Sequence, residues 1–201
     1  MRIAMLIALP AGTSYFVLAK PILSMLFRGE MDIAAACLRV LCFAIPFVAL
    51  VSLTNAVLQA AGKVRVPVVT MLIGGVIKVL GNYTLVGMPQ VNIYGAPFGT
   101  LVCYAFIAIT NLVILRQQIR LPGLGKLFFR PMAACIGMGA GAYLTYRVTS
   151  GILGNSIGVI LSICVAGVLY LVLLLALQAL EKDDILMMPK GEKLVRLLRL
   201  R

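Results

Sequence analysis

Long apolar runs without charge, separated by short polar gaps, dominate the chain. Six runs stand out: residues 3–19 (continuing to 27), 40–62 with an upstream extension from 34, 66–87 with a single charge, 94–115, 131–146 and 156–180. With its flanks, each run approaches or exceeds the about 20 helical residues needed to cross a hydrocarbon layer of about 30 Å. The pattern therefore predicts an all-α integral membrane protein with about six transmembrane helices.

The composition supports lipid as the main solvent. Of the 201 residues, 62% are hydrophobic and 12% are charged, whereas soluble domains contain about 25% charged residues. A soluble core of this size could not bury so much apolar surface. We predict four organisational segments: four transmembrane helices in 1–115, a basic loop in 116–130, two additional transmembrane helices in 131–180, and a basic tail in 181–201 that is able to form an interfacial helix.

The positive charge is distributed unevenly along the chain. There are 18 Lys and Arg residues against 6 Asp and Glu, a net charge of +12. Most of the basic residues fall in alternate gaps between the runs and in the tail, which is the asymmetry that orients membrane proteins with their basic loops inside. The sequence therefore predicts both termini on the cytoplasmic side. Because this distribution explains the net charge, no nucleic-acid partner is predicted.

Residue sets typical of enzymes are missing from the sequence. It has no histidine, and its five cysteines lie in apolar runs without a CxxC pair, so no enzymatic activity, metal site or cofactor is predicted. The cysteines are interpreted as small packing residues. All six acids lie in the predicted loops or tail, so the spans lack the intramembrane carboxylate that proton relays commonly use.

Lys78 is the most unusual residue of the apolar runs, because it lies near mid-depth in the third span. An exposed cation there costs at least about 2.5–3.5 kcal/mol, so its side chain should face protein or a watery cavity. Gly74, Lys78 and Asn82 share one helical face with Thr70. Two interpretations remain open. Lys78 either attracts an anionic part of a cargo, such as phosphate, or bonds to carbonyls and hydroxyls of neighbouring helices.

Other polar residues of the spans also allow two interpretations. Arg39 lies about a turn and a half inside the second span, where it either reaches the lipid headgroups or lines the mouth of a cavity. Ser52, Asn55 and Gln59 form a stripe along the same span, which indicates either hydrogen bonds between helices or contacts with a cargo. Asn111 in the fourth span is interpreted mainly as a packing residue.

Gly137 and Gly141 form a GxxxG pattern in the fifth span. Small residues at this spacing let two membrane helices approach closely. The pattern predicts a tight helix contact there without identifying the partner helix.

Four short stretches resemble bacterial polysaccharide-export flippases. They are residues 54–63 (TNAVLQAAGK), 77–83 (IKVLGNY), 92–96 (NIYGA) and 99–100 (GT). The tail, with Asp183-Asp184 and the sequence PKG at 189–191, is similar to the same proteins. The branch that it resembles most is the stage V sporulation protein B-like group of the multidrug/oligosaccharidyl-lipid/polysaccharide superfamily.

The resemblance implies two six-helix lobes around a central cavity, often with two additional C-terminal helices. It also implies transport of polyprenyl-pyrophosphate-linked oligosaccharide, or of peptidoglycan or polysaccharide precursors, across the bacterial cytoplasmic membrane by alternating access. By position, Lys78 and Arg39 would line the cavity and meet the pyrophosphate, while Asn55 and Gln59 would lie near its cytoplasmic end. With Asn82 from the face of Lys78, these five residues are the predicted substrate-binding residues.

On this resemblance the six predicted spans would be the last six of fourteen, with the whole first lobe of the family missing from this sequence. The chain is therefore expected to be a fragment, with the N-terminal lobe of the same protein and membrane lipids as partners. Two other interpretations remain open: half of a cation-coupled multidrug exporter, and a structural membrane subunit without transport activity.

Overall fold

Helices form most of the described part of the chain. A computed structural model describes residues 2–27, 29–89, 91–117 and 124–176. Within these ranges there is no strand, and the predicted all-α fold is confirmed. The helices are α1 (Arg2–Val17), α2 (Ala19–Leu26), α3 (Asp32–Cys42), α4 (Ala44–Ala60), α5 (Arg65–Val86), a 3₁₀ turn (Asn92–Tyr94), α6 (Gly95–Arg116), α7 (Leu124–Leu153) and α8 (Asn155–Ala176).

Between three and five spans are long and apolar enough to cross a membrane in the part of the chain that the structure describes. Helices α5, α6 and α8 qualify individually, and α1–α2 and α3–α4 qualify if each bent pair counts as one span. The predicted fifth span lies within α7 and is not among them, although α7 has 30 residues.

The first two predicted spans are each broken into two helices. The axes of α1 and α2 differ by 73°, and those of α3 and α4 differ by 41°. Pro21 and Pro46 are the third residues of α2 and α4, respectively. Proline is tolerated in the first turn of a helix, where its missing N–H would have no intrahelical partner, whereas it disrupts a helix interior. The two prolines therefore favour a new helix start over an unbroken span.

Two glycines in the left-handed conformation end helices where turns are predicted. After α4, Gly62 has φ +76°; its N–H donates to the Gln59 carbonyl, and the next N–H, of Lys63, donates to the Leu58 carbonyl. This pair of bonds is the Schellman arrangement, which satisfies carbonyls at a helix end. Gly154, with φ +80°, separates α7 from α8. Both conformations favour glycine because it has no side chain.

The buried apolar side chains form two clusters that meet at α1. Leu6 packs with residues of α7 and α8, including Met138 and Tyr170. The neighbouring residue Met5 packs with residues of α4 and α6, including Leu50 and Ile107. Helix α1 therefore packs on the α7–α8 pair with one residue and on α4 and α6 with the next.

The α7–α8 contact confirms the predicted role of the GxxxG pattern. A Cβ atom added to Gly137 would come within 2.9 Å of the Leu173 side chain on α8, and one added to Gly141 would clash with the Leu169 side chain on the same helix. Only glycine allows such an approach at these two positions. Helix α7 also begins at Leu124, inside the stretch predicted as the basic loop 116–130. The predicted tail 181–201 lies outside the described residues.

Candidate substrate-contacting site

A buried group of polar side chains joins α4, α5 and α6. It consists of Thr54, Asn55, Thr70 and Asn111, and we call it the polar cluster. Asn111 Nδ2 donates to Asn55 Oδ1 at 2.7 Å and to Thr54 Oγ1 at 3.3 Å. Thr70 Oγ1 donates to Asn111 Oδ1 at 2.9 Å. The side chains of Thr54, Thr70 and Asn111 are almost completely buried, so these bonds replace those that water would otherwise provide.

The hydrogen bonds fix the orientation of the Asn111 amide. The Thr54 hydroxyl donates to the Leu50 carbonyl at 2.8 Å, so its oxygen is an acceptor for an N–H of Asn111. Both amide hydrogens of Asn111 and one lone pair of its oxygen are therefore used. Asn55, by contrast, donates only to the sulfur of Met71, at 3.5 Å, and sulfur is a weak acceptor. Asn55 is thus the member of the polar cluster with capacity left for a ligand.

Sequence reasoning underestimated Asn111, although a signal for the polar cluster was present. Thr54 lies six residues before α4 ends, Thr70 five residues after α5 begins, and Asn111 five residues before α6 ends. These three helix ends lie on the same side of the fold, because the chain reverses direction between α4 and α5 and again between α5 and α6. Because the three residues are five or six positions from that side, their side chains lie at nearly the same depth, where polar groups in adjacent spans can pair.

The face of α5 that carries Lys78 contacts α6 one turn before that residue and again one turn after it. A Cβ atom at Gly74 would approach Ile107 to 2.6 Å and Cys103 to 3.3 Å, and both residues belong to α6. One turn beyond Lys78, Asn82 lies against Gly99 of α6. We call Gly74, Lys78 and Asn82 the Lys78 face. Lys78 itself remains partly exposed.

The polar atoms of the Lys78 face lack partners among the described residues. Asn82 Oδ1 is buried and accepts no hydrogen bond there. No described acid lies within salt-bridge distance of the Lys78 ammonium; the ion pair found in that part of the chain joins Lys20 to Asp32. A buried acceptor and a cation on one helical face are suited to a ligand that supplies both hydrogen-bond donors and negative charge.

The structure brings together only some of the five predicted site residues. Lys78 and Asn82 share one face of α5, and Asn55 lies about two turns away, at the level of Met71. Gln59 is exposed one turn further along α4, and Arg39 is exposed near the end of α3. A shallow apolar groove of about 350 Å³ on α8, lined by residues such as Cys164 and Val168, includes none of them.

Three of the stretches that resemble flippases have residues at the α5–α6 contact. Gly95 packs so closely on Leu85 that a Cβ atom would come within 2.7 Å of its side chain, and Gly99 packs on Asn82. Both glycines belong to stretches in α6, and Asn82 belongs to the stretch 77–83 in α5. The resemblance therefore includes residues that set the distance between these two helices.

Comparison with known proteins gives one match. Residues 1–84 match the family model described as MatE. No curated protein and no solved structure was found to match the chain. The matched stretch covers less than half of the 201 residues. It runs from α1 to the last turn of α5 and includes all five predicted site residues.

The match supports the multidrug/oligosaccharidyl-lipid/polysaccharide superfamily for this stretch. It supports a membrane transporter, and it supports transport rather than enzymatic chemistry. The apolar helices agree with a membrane location. The polar cluster includes one residue outside the matched stretch, because Asn111 lies in α6.

Proposed function

We propose that this chain forms part of a flippase for polyprenyl-pyrophosphate-linked oligosaccharides or for peptidoglycan or polysaccharide precursors. In this proposal the transporter works by alternating access, and Lys78 attracts the pyrophosphate. The supporting observation is a partly exposed lysine in the middle of an apolar helix, with no acid in salt-bridge distance among the described residues. Stage V sporulation protein B-like flippases remain the branch that the sequence resembles most.

The position of Lys78 supports an anionic ligand. Residue 78 lies about 4 Å along the axis from the middle of α5, given a rise of about 1.5 Å per residue. A cation at that depth is stabilised by water or by a counter-ion. Pyrophosphate supplies negative charge and strong acceptor oxygens, with which an ammonium forms charge-assisted hydrogen bonds.

The other predicted residues have supporting roles in this proposal. Asn82 is next to Lys78 on α5, and its amide can reach the same ligand if the side chain leaves Gly99. Asn55 and Gln59 lie nearer the α4–α5 loop, which the proposal assigns to the cytoplasmic side together with both termini. Arg39 would meet the ligand only at the opposite end of a cavity. An N-terminal lobe of the same protein would complete that cavity, and membrane lipids would surround it.

Binding measurements in lipid nanodiscs test the proposal. The probes are a synthetic polyprenyl pyrophosphate and the uncharged polyprenol with the same tail, measured by native mass spectrometry. We expect Lys78→Ala to weaken pyrophosphate binding about tenfold, the loss of about 1.4 kcal/mol from one charge-assisted hydrogen bond. Lys78→Arg should retain most of the affinity. Lys63→Ala is the matched control, because Lys63 is exposed in the α4–α5 loop.

The same measurements distinguish the proposal from export of cationic drugs. A site for cationic drugs would bind ethidium more tightly after Lys78→Ala, since a repelling charge is removed. Equal binding of polyprenyl pyrophosphate by the parent and Lys78→Ala would contradict the proposal. So would equal affinity for the pyrophosphate and the polyprenol.

A further inference from the structure

Helix α1 contains a carbonyl that its own helix cannot satisfy. In an α-helix the carbonyl of residue 6 would accept from the N–H of residue 10, but residue 10 is Pro10, which has no N–H. The hydroxyl of Tyr170 on α8 donates to this Leu6 carbonyl at 2.8 Å. Both Leu6 and Tyr170 are buried in the α1–α7–α8 cluster. A side chain of another helix therefore replaces the missing N–H.

The opposite end of α8 makes a second polar contact, with α2. Asn155 Nδ2 donates to the Pro21 carbonyl at 3.3 Å and to Ser24 Oγ at 3.1 Å. Asn155 Oδ1 accepts from the Tyr146 hydroxyl of α7 at 2.8 Å. The Asn155 amide is thus held by α7 while its N–H groups are directed at α2.

The two contacts lie on either side of the 73° bend between α1 and α2. Asn155 and Tyr170 are separated by about 22 Å along α8. A single turn residue, Leu18, connects α1 to α2. Its N–H donates to the Ser14 carbonyl and its carbonyl accepts from the Ile22 N–H, so each helix is bonded to Leu18 but the described residues show no backbone bond that links α1 directly to α2. The angle depends on what each helix contacts elsewhere, and α8 contacts both.

We propose that α8 acts as a brace that fixes the angle of the bent α1–α2 pair. Tyr170 holds α1 at the carbonyl that Pro10 leaves free, and Asn155 holds α2 at Pro21 and Ser24. The α7–α8 pair thereby controls the shape of the helices that precede it in the chain. This inference does not depend on which substrate is transported.

Distance measurements between α1 and α2 test the brace. Spin labels are placed at Ile7→Cys and Leu26→Cys, two exposed positions on either side of the bend, after the five native cysteines have been replaced. Helix α2 is about 12 Å long, so a change of about 20° in the angle moves its far end by about 4 Å. Pulsed electron paramagnetic resonance in nanodiscs measures shifts of this size.

We expect Tyr170→Phe and Asn155→Ala each to broaden the distance distribution, and the double variant to shift its mean by several ångströms. Tyr83→Phe is the matched control, because its ring is exposed and its hydroxyl makes no contact that the proposal uses. A double variant with the distribution of the parent would overturn the proposal and leave α3, which also contacts α2, as the element that sets the angle.

The role of Pro10 gives an independent test in the unlabelled protein. Pro10→Ala supplies an N–H to the Leu6 carbonyl, so the Tyr170 hydroxyl is no longer its only donor. We expect Tyr170→Phe to lower the unfolding temperature clearly in the parent and much less in Pro10→Ala. An equal decrease in both backgrounds would overturn the proposed use of the freed carbonyl.

Discussion

The polar cluster and the Lys78 face both include residues of α5, yet their polar groups differ in whether they have hydrogen-bond partners. In the polar cluster, Thr70 of α5 and Asn111 of α6 are buried and hydrogen-bonded. More than three turns further along α5, the oxygen of Asn82 is buried and has no hydrogen-bond partner among the described residues. No described acid pairs with Lys78, about two turns from Thr70. One end of the α5–α6 contact is therefore satisfied internally, and the other is not.

Polar groups with and without hydrogen-bond partners correspond to two different roles of polar residues in a membrane span. Paired amides and hydroxyls stabilise helix association, typically by about 0.6 kcal/mol and at most about 1.7 kcal/mol per interaction in measured cases. An unpaired buried polar group destabilises the fold and persists where it serves another purpose. The polar cluster fits the first use and the Lys78 face fits the second.

The largest effect on stability is expected from Asn111→Leu. This change keeps the branching and the number of side-chain heavy atoms but removes the amide that joins α4, α5 and α6. Thr70 and Thr54 keep carbonyl acceptors on their own helices, while Asn55 loses its strongest bond. We expect the free energy of unfolding to decrease by about 1–3 kcal/mol, measured by denaturant titration in mixed micelles.

Ser52→Ala is the control for that measurement, because Ser52 is an exposed polar residue of α4 outside the polar cluster. It should leave the free energy of unfolding nearly unchanged. If Asn111→Leu had no greater effect than Ser52→Ala, the polar cluster would not hold these helices together.

A smaller effect is expected from Gly99→Ala on the Lys78 face. A Cβ atom at residue 99 would clash with Asn82 Oδ1, so Asn82 or the helices must move. We expect a decrease of about 1–2 kcal/mol in the free energy of unfolding. Gly75→Ala is the control, since a Cβ atom there meets nothing within 4 Å and alanine favours a helix over glycine by up to about 1 kcal/mol.

The double variant with Asn82→Ala identifies the cause of the Gly99→Ala effect. If the clash with Asn82 is responsible, removing the Asn82 side chain should recover most of the lost stability. A loss that persists in the double variant would mean that Gly99 is required by the α6 backbone rather than by its contact with α5.

The helices were predictable from the sequence, but the two bends were not. Apolar runs located all six helical regions, and GxxxG identified a contact that the structure confirms at Gly137 and Gly141. Pro21 and Pro46 lie in runs that continue on both sides, and a proline in an apolar run is compatible with a kink or with a new helix. The angle between two such helices depends on distant contacts, as those of Asn155 illustrate.

The candidate site was predictable where a residue is unusual by itself. Lys78 stands out because a charge in an apolar run is rare and costly. Asn111 does not stand out in the sequence, since a single amide in a span is common. Its hydrogen bonds to α4 and α5 can be anticipated only when the three helices are aligned by depth. The burial of Asn82 against Gly99 likewise requires knowledge of which face of α5 meets α6.

The smallest effect on stability is expected from Lys78→Met. Methionine keeps much of the length of the side chain and removes a charge that no described acid neutralises. We expect the free energy of unfolding without ligand to stay within about 1 kcal/mol of the parent or to rise, because sites kept for binding are commonly not optimal for stability. Lys63→Met in the α4–α5 loop is the control for loss of a lysine charge as such.

The sign of the Lys78→Met result distinguishes the two interpretations that the sequence leaves open. If carbonyls and hydroxyls of neighbouring helices held the ammonium, methionine would leave those acceptors unpaired, and stability would fall about as much as in Asn111→Leu. An unchanged or higher stability together with weaker pyrophosphate binding would mean that the charge of Lys78 acts on the ligand and not on the fold. Only that combination of results would mean that the polar groups of the Lys78 face lack partners in the fold because they bind a ligand.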